Sequence, residues 1–384
     1  MEAQDIKTLS EEAVAGADAV HKLLGTDKGF AKKRYSAETV DAFVEILNEA
    51  ADGSAKAQYL LREAMVTADF PYLFGDVLDR SLMAQWSTSI PNWQAFVKQG
   101  TVKDFRQAKM YGIEGMGAVL EAVGERAEYP ERGPSEETPI TRQVAKYGAR
   151  FGISFETMIN DDLGALRDLP QKLVVAARRT EALSVTNQYC GTAGPDATLY
   201  SVGNNNIITS NPVLSIAGLA TGFLKMGSQV DVDGFPEIVD AIVLVVPPAL
   251  EITAQNILNA TVLEVATGGG AYNAMDQLVV RNWMNGRLQL VVDPYIGLVA
   301  TTNATTSWFL FAATTAARPA MQMDYLVGHE SPELFVKTPN ASRVGGGTVP
   351  ESFETEEQEY KVRHIYGVTT IDPHATVASN GTAS

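Results

Sequence analysis

A single cysteine, Cys190, in 384 residues excludes an internal disulfide and any cysteine-built zinc site. Basic residues are also short, 30 Lys and Arg against 46 Asp and Glu. The resulting net charge of −16 argues against a tight nucleic-acid ligand, because phosphate binding requires a local surplus of cations. The four histidines, His21, His329, His364 and His374, form no HExxH and no pair at helical ligand spacing. The glycine-rich stretches at 267–275 and 344–350 hold neither GK[ST] nor the spaced glycines of a dinucleotide turn, so they read as connectors. No uninterrupted apolar run is long enough to span a membrane. The opening "MEAQDIK" carries acids where a secretory signal carries bases. A composition 45% hydrophobic and 20% charged is that of an ordered globular chain. The expectation is a soluble protein of a reducing cytoplasm, without metal or cofactor.

What is present is a sequence of contrasting segments. "SEEAVAGADAVHKLLG" and "SAETVDAFVEILNEA" read as helices capped by Ser10 and Ser36, the second with Val40, Phe43, Val44 and Leu47 on one face. From Trp93 the chain turns extended, and residues 129–139, "YPERGPSEETP", hold three prolines and a glycine. Beyond them "ITRQVAKYGARFGISF" alternates, placing Ala145, Tyr147, Ala149, Phe151 and Ile153 on one side. Two extended arms around a polar tip predict a long hairpin. Seven glutamates between 114 and 137 stand against Arg126 and Arg132, so the hairpin has little of its own to bury. It is either mobile or lies on a neighbouring chain.

A long helix is expected over about 162–188, with Pro170 bending it or starting a new segment. The adjacent Asp161 and Asp162 at its start diverge by about 100° on a helix and serve better as caps than as a shared ion site. Residues 210–320 read as an α/β unit. Its parts are a helix with Pro212 near its first turn, an apolar strand "AIVLVV" running through Pro247 and Pro248 into a helix, and strands in "QLVVRN", "RLQLVVDPYI" and "SWFLFAA". The last part returns to β, with Tyr360, Val362, His364, Tyr366 and Val368 alternating against Lys361, Arg363 and Ile365. Cys190 reads as a small buried hydrophobe.

This order of parts resembles the major capsid protein of tailed bacteriophages, the HK97-like fold. The phrases "FGISFETMINDDLGALRDLPQKL" and "EYKVRHIYGVTTIDPHATVASNG" are similar to that family. The resemblance implies an α+β chain with an N-terminal helical arm at 1–92 and an extended loop at 115–150. It implies a peripheral domain with a spine helix from 93–114, 151–210 and 321–384, and an axial domain at 211–320. It implies a structural, non-enzymatic protein assembling with itself in pentamers and hexamers as an icosahedral head around double-stranded DNA. The DNA would be enclosed without sequence-specific binding. Separate scaffolding and portal proteins, with a decoration protein as a further candidate, would be partners, and the shell would form in the host cytoplasm without a membrane.

Candidate inter-subunit contacts are Glu121, Glu125, Arg126, Glu128, Glu131, Arg132, Arg150, Arg178 and Arg179, and candidate hinges are Gly115, Gly117, Gly148 and Gly152. Some family members weld subunits through a loop lysine. Here no lysine lies between Glu114 and Ala145, and the nearest, Lys146, is at the loop's base, so covalent crosslinking is not expected. The short N-terminal region argues against a cleaved scaffolding segment. Two alternatives stand beside this reading. One is an encapsulin-like nanocompartment shell. The other is a soluble α/β enzyme, for which Asp276, Arg281 and Asp293 are the polar residues at strand ends.

Overall fold

The computed structural model describes residues 37–51, 54, 56–57, 59–60, 70–111, 113–114, 122–123, 125–126, 128–129, 135–136, 139–154, 169–230, 241–266, 277–315, 319–337, 341–342, 348–349 and 357–382. They fall into two compact units, and the chain passes between them repeatedly. The first draws on Met1–Ile90, Ala145–Thr180 and Val327–Tyr366, the second on Pro91–Val144, Glu181–Leu326 and Gly367–Ser384.

In the first unit the strand Glu357–Thr370 runs between Glu333–Val336 and Ala145–Ser154, antiparallel to both. Side chains alternate across a strand, so Gln358, Tyr360, Val362, His364 and Tyr366 turn inward and are buried. Two clusters form there. Tyr360 and Ile153 pack with Phe43 of the helix Ala37–Ala51 and Leu78 of the helix Phe70–Thr88. Val362 packs with Leu82 of that same second helix and Val174 of the long helix Leu169–Tyr189. The expected alternation holds from Tyr360 to His364. It fails at Ile365, which is buried as well, and at Val368, which is only half-buried.

The long helix is described from Leu169, which makes Pro170 its second residue. There the missing N–H costs nothing, since the first turn has no intrahelical acceptors to offer. Asp161, Asp162 and the cap Ser36 lie outside the described residues, as does Ser10.

The second unit is built on a four-stranded sheet ordered Gln289–Val292, Ala241–Val246, Trp308–Ala312, Thr376–Ser379. The first pair is parallel and the other two antiparallel. Ala241–Val246 is an inner strand, and Val243 to Val246 are buried, as an unbroken aliphatic run predicts. The expected division places 321–384 in the peripheral part, yet Thr376–Ser379 pairs with Trp308–Phe311. The helix read near Pro212 is Ile216–Gly227. It starts later because Ser215 caps it, its hydroxyl accepting from the Gly218 N–H at 3.0 Å. Pro212 lies outside the helix and offers its carbonyl to Trp308 Nε1 and Ser379 Oγ. Gly222 lets this helix lie close to the sheet, since a Cβ there would stand 2.7 Å from Leu310 Cδ1. Val97–Val102 pairs in parallel with Met321–Leu326.

Candidate assembly surfaces

Of the long hairpin expected with "ITRQVAKYGARFGISF" as its second arm, the second unit holds two short ladders; Ala145–Ser154 of that arm pairs instead with Glu357–Tyr366, because Phe151 and Ile153 of its alternating face pack with Tyr360 in the first unit. Ala108–Met110 pairs with Ile140–Arg142, and Ile113–Glu114 pairs with Ser135–Glu136. Of its expected contact residues, Glu125, Arg126 and Glu128 are exposed, and Tyr129 beside them is 81% exposed. Arg126 sits in a turn with φ 63°, the left-handed region a non-glycine residue enters only in tight turns. Glu121, Glu131, Arg132, Gly115 and Gly117 lie outside the described residues.

The hairpin's base is held by a buried charge. Asp324, 1% exposed, accepts from Arg142 Nη1 at 3.0 Å and from Gln322 Nε2 at 2.7 Å. The aspartate lies against Gly100 of the paired strand, where a Cβ would fall 2.5 Å from Asp324 Oδ1 and 2.2 Å from Gln322 Nε2. Glycine at 100 is therefore a requirement of close approach. Neither Asp324 nor Arg142 was singled out from the sequence, because their partnership depends on the pairing of 321–326 with 97–102.

The three basic candidates separate sharply. Arg178 lies over the Trp86 ring at 3.3 Å and donates to the Trp86 carbonyl at 3.0 Å, so the expectation that it serves a neighbouring chain meets an arginine already engaged within its own. Arg179, one position along the helix, is exposed. Arg150 is 84% exposed and reaches Glu359 only at 4.0 Å. Sequence reading missed Lys361, which lies directly opposite Arg150 in the ladder. The hinge candidates Gly148 and Gly152 both lie inside that ladder. A Cβ at Gly148 would meet the Val362 carbonyl at 2.5 Å, and one at Gly152 would meet Glu357 Oε2 at 2.7 Å. The backbone contact accounts for glycine at 148, whereas at 152 the nearest atom is the movable end of a side chain.

The residues that could carry chemistry are occupied structurally. Cys190 is buried, and burial first, then Asp293 and Asp196, pushes its thiol up to about 12. Asp293 accepts from the Tyr189 hydroxyl, lies 2.7 Å from Thr186 Oγ1 and accepts from the Tyr295 N–H at 2.8 Å. Burial, with the Asp293 charge behind it, holds the Tyr189 hydroxyl well above its ordinary value. Arg281, exposed, ends the strand Gln277–Arg281, and Asp276 lies outside the described residues. His364 is buried at 5.1 Å from both Trp86 and Tyr366. At Glu333, burial pushes the carboxyl up, but hydrogen bonds from His329 and Arg363 outweigh it and leave it below the usual carboxylate range. Among the described residues no group of three or more His, Cys, Asp or Glu could hold a metal ion, and no helix is long and apolar enough to cross a membrane.

The profile of a family described as phage capsid protein matches residues 137–379, more than half of the chain. Similar solved structures include one from Gordonia phage Cozz, 12% identical over 73% of this chain and 83% of that one, with a TM-score of 0.44. Another, from Mycobacterium phage Adephagia, is 8% identical over 74% of this chain and 87% of that one, with a TM-score of 0.46. A capsid of a native GTA particle is 9% identical over 75% and 88%, also with a TM-score of 0.46. No curated protein matches the chain.

Proposed function

The chain belongs to the phage capsid protein family and is a structural major capsid protein of α+β, HK97-like architecture; from that premise we propose that it closes, through pentamers and hexamers, into an icosahedral head around double-stranded DNA. The observation that carries the proposal beyond family membership is the hairpin. Its described strands are two or three residues long, its tip is exposed, and its charge is acidic. Such an element gains its burial from another subunit. Heterologous contacts that close by rotation give rings, and rings give a shell. Exposed ion pairs contribute about 0–1 kcal/mol each. Contacts that weak let misplaced subunits leave, while repetition over many copies holds the finished particle.

A net charge of −16 suits a wall that repels phosphate, so the genome is enclosed without sequence-specific binding. Scaffolding and portal proteins would be separate partners, with a decoration protein as the added source of stability that a loop without lysine leaves open. Assembly would take place in the host cytoplasm. We retain the division into arm, extended loop, peripheral and axial parts as an assignment for the assembled particle.

Negative-stain microscopy of the purified protein, with absorbance at 260 and 280 nm on the assembled fraction, tests the proposal. Closed shells that carry nucleic acid when taken from infected cells are the expected result. A stable monomer or dimer under every assembly condition would overturn it. Shells that enclose protein cargo in place of nucleic acid would favour the nanocompartment.

A further inference from the structure

The sequence contains two Asn-Gly steps, Asn285–Gly286 and Asn380–Gly381. Such a step is reactive because glycine carries no Cβ to keep its backbone nitrogen away from the side-chain carbonyl of the asparagine before it. The fold treats the two steps in opposite ways.

Asn285 and Gly286 form the corner of a loop in the second unit, between the strands Gln277–Arg281 and Gln289–Val292. The flanks of the loop are fixed. Asn282 is buried and donates from Nδ2 to the Ile257 carbonyl at 2.7 Å and the Ala260 carbonyl at 2.8 Å, while its Oδ1 accepts from the Met284 N–H at 3.0 Å. Met284 is fully buried, and the Arg287 guanidinium lies 4.5 Å from the Phe223 ring. Between these anchors the Arg287 N–H donates to the Met284 carbonyl at 3.0 Å and closes a four-residue turn. In such a turn the closing bond comes from the fourth residue, so the nitrogen of the third takes no part in it. The third residue is Gly286, at φ 72°, a value that suits glycine. Among the described residues nothing accepts from its N–H. Both corner residues are exposed, and a Cβ on Gly286 would meet nothing within 4 Å. The Asn285 amide is tethered only weakly, with Nδ2 at 3.5 Å from the Asn259 and Ala260 carbonyls.

The other step is closed off. Gly381 is buried, and its N–H is committed to Ser379 Oγ at 3.1 Å. A Cβ there would stand 2.1 Å from the Thr306 carbonyl oxygen, and Thr306 Oγ1 donates to the Asn380 carbonyl at 2.8 Å. The backbone has no room to turn this nitrogen onto the Asn380 side chain.

We propose that Asn285–Gly286 is a self-modification site, at which Asn285 deamidates through a cyclic imide in the folded chain while Asn380 is protected. The Gly286 nitrogen, its proton taken by hydroxide, attacks Asn285 Cγ. A new C–N bond forms, the bond from Cγ to Nδ2 breaks, and Nδ2 leaves as ammonia. Water then adds to either carbonyl carbon of the imide and breaks its bond to the ring nitrogen, leaving aspartate or isoaspartate. In sum one amide and one water give a carboxylate and an ammonium ion, so water is the only co-reactant. The product puts a negative charge on a loop bordered by Arg281 and Arg287, and isoaspartate carries the main chain through an added carbon within the turn. Repeated over the copies of a shell, on the capsid reading, the reaction makes the charge of a particle change with its age.

Peptide mapping of the full-length subunit by mass spectrometry, with isoaspartate read by enzymatic methyl transfer, tests this in neutral and in alkaline buffer. Circular dichroism reports that the chain stays folded. Asn285 should convert at least about tenfold faster than Asn380, which must wait for local opening. The rate at Asn285 should rise with pH, and the gap between the two steps should close when urea unfolds the chain. Asn285→Gln, which would have to close a larger ring, should melt as the wild type does and lose the modification in this loop. An Asn285 that stays intact in the folded subunit while both steps convert in urea would overturn the proposal. So would equal rates at the two steps in the native protein. Neither result touches the capsid reading, which shell formation decides.

Discussion

Replacing Asp79 with asparagine should stabilise the free subunit at pH 7.5 and leave it nearly unchanged at pH 4. Asp79 lies on the helix Phe70–Thr88, which packs on the strand Glu333–Val336. That strand pairs on one side only. Lys337 N–H donates inward to the Glu359 carbonyl, and with a strand period of two the N–H of Leu334 points to the open edge. Asp79 accepts a hydrogen bond from the Leu334 backbone there and so covers the edge. Burial nevertheless raises its carboxyl from 3.8 to about 6, with the Asp76 and Glu333 charges adding to the rise, while the Leu334 hydrogen bond and Arg80 oppose it.

A folded value above the unfolded one means that the native state binds the proton more tightly. The stability from that proton is fully present below about pH 4 and is lost as pH rises through about 6. At pH 7.5 the charged form therefore costs on the order of 3 kcal/mol, from about two pH units at 1.4 kcal/mol each. Asparagine keeps an acceptor for Leu334 and removes the charge. A gain of about 1–3 kcal/mol follows, or roughly 2–6 °C in Tm for a chain of this size. Thermal melts of the unassembled Asp79→Asn subunit at the two pH values are the assay. A Tm shift equal at both pH values, or a loss at pH 7.5, would refute the reasoning.

Three further outcomes are expected. Arg142→Ala leaves the buried Asp324 carboxylate without its cation and should cost about 3–5 kcal/mol in urea unfolding; a change under 1 kcal/mol would show that the pair is not what holds the hairpin's base. Gly148→Ala forces a methyl against the Val362 carbonyl and should lower subunit stability by about 1–3 kcal/mol before any assembly step, so a variant of wild-type stability that stalls only in maturation would restore the hinge reading. Cys190, buried and with its thiol pushed up to about 12, should resist a thiol reagent at pH 8 in the folded subunit and react once urea unfolds it; rapid labelling of the native protein would contradict that burial.

The local features were readable because they are written in neighbouring residues. The aliphatic run Ala241–Val246 announced an inner strand. The alternation from Tyr360 to His364 showed which face of its strand is inside. The helix near Pro212 was placed too early because a proline suits a first turn, whereas the serine cap that sets the boundary came three residues later. Arg178 shows a different limit. A helix pattern shows that the side chain lies off the apolar stripe, but not that Trp86 of another helix waits beneath it.

By itself, then, the sequence determined the kind of protein: an order of segments belonging to the phage capsid family, with an acidic stretch between 114 and 137. Tertiary structure alone decided which distant residues meet. Arg150 faces Lys361 across more than two hundred residues of chain, Arg142 meets Asp324, and Asp79 meets the open edge at Leu334. The physical reason is that periodicity and turn chemistry act over a few residues. Strand register and helix placement follow from how whole faces pack, and only those set the charge and burial each side chain experiences.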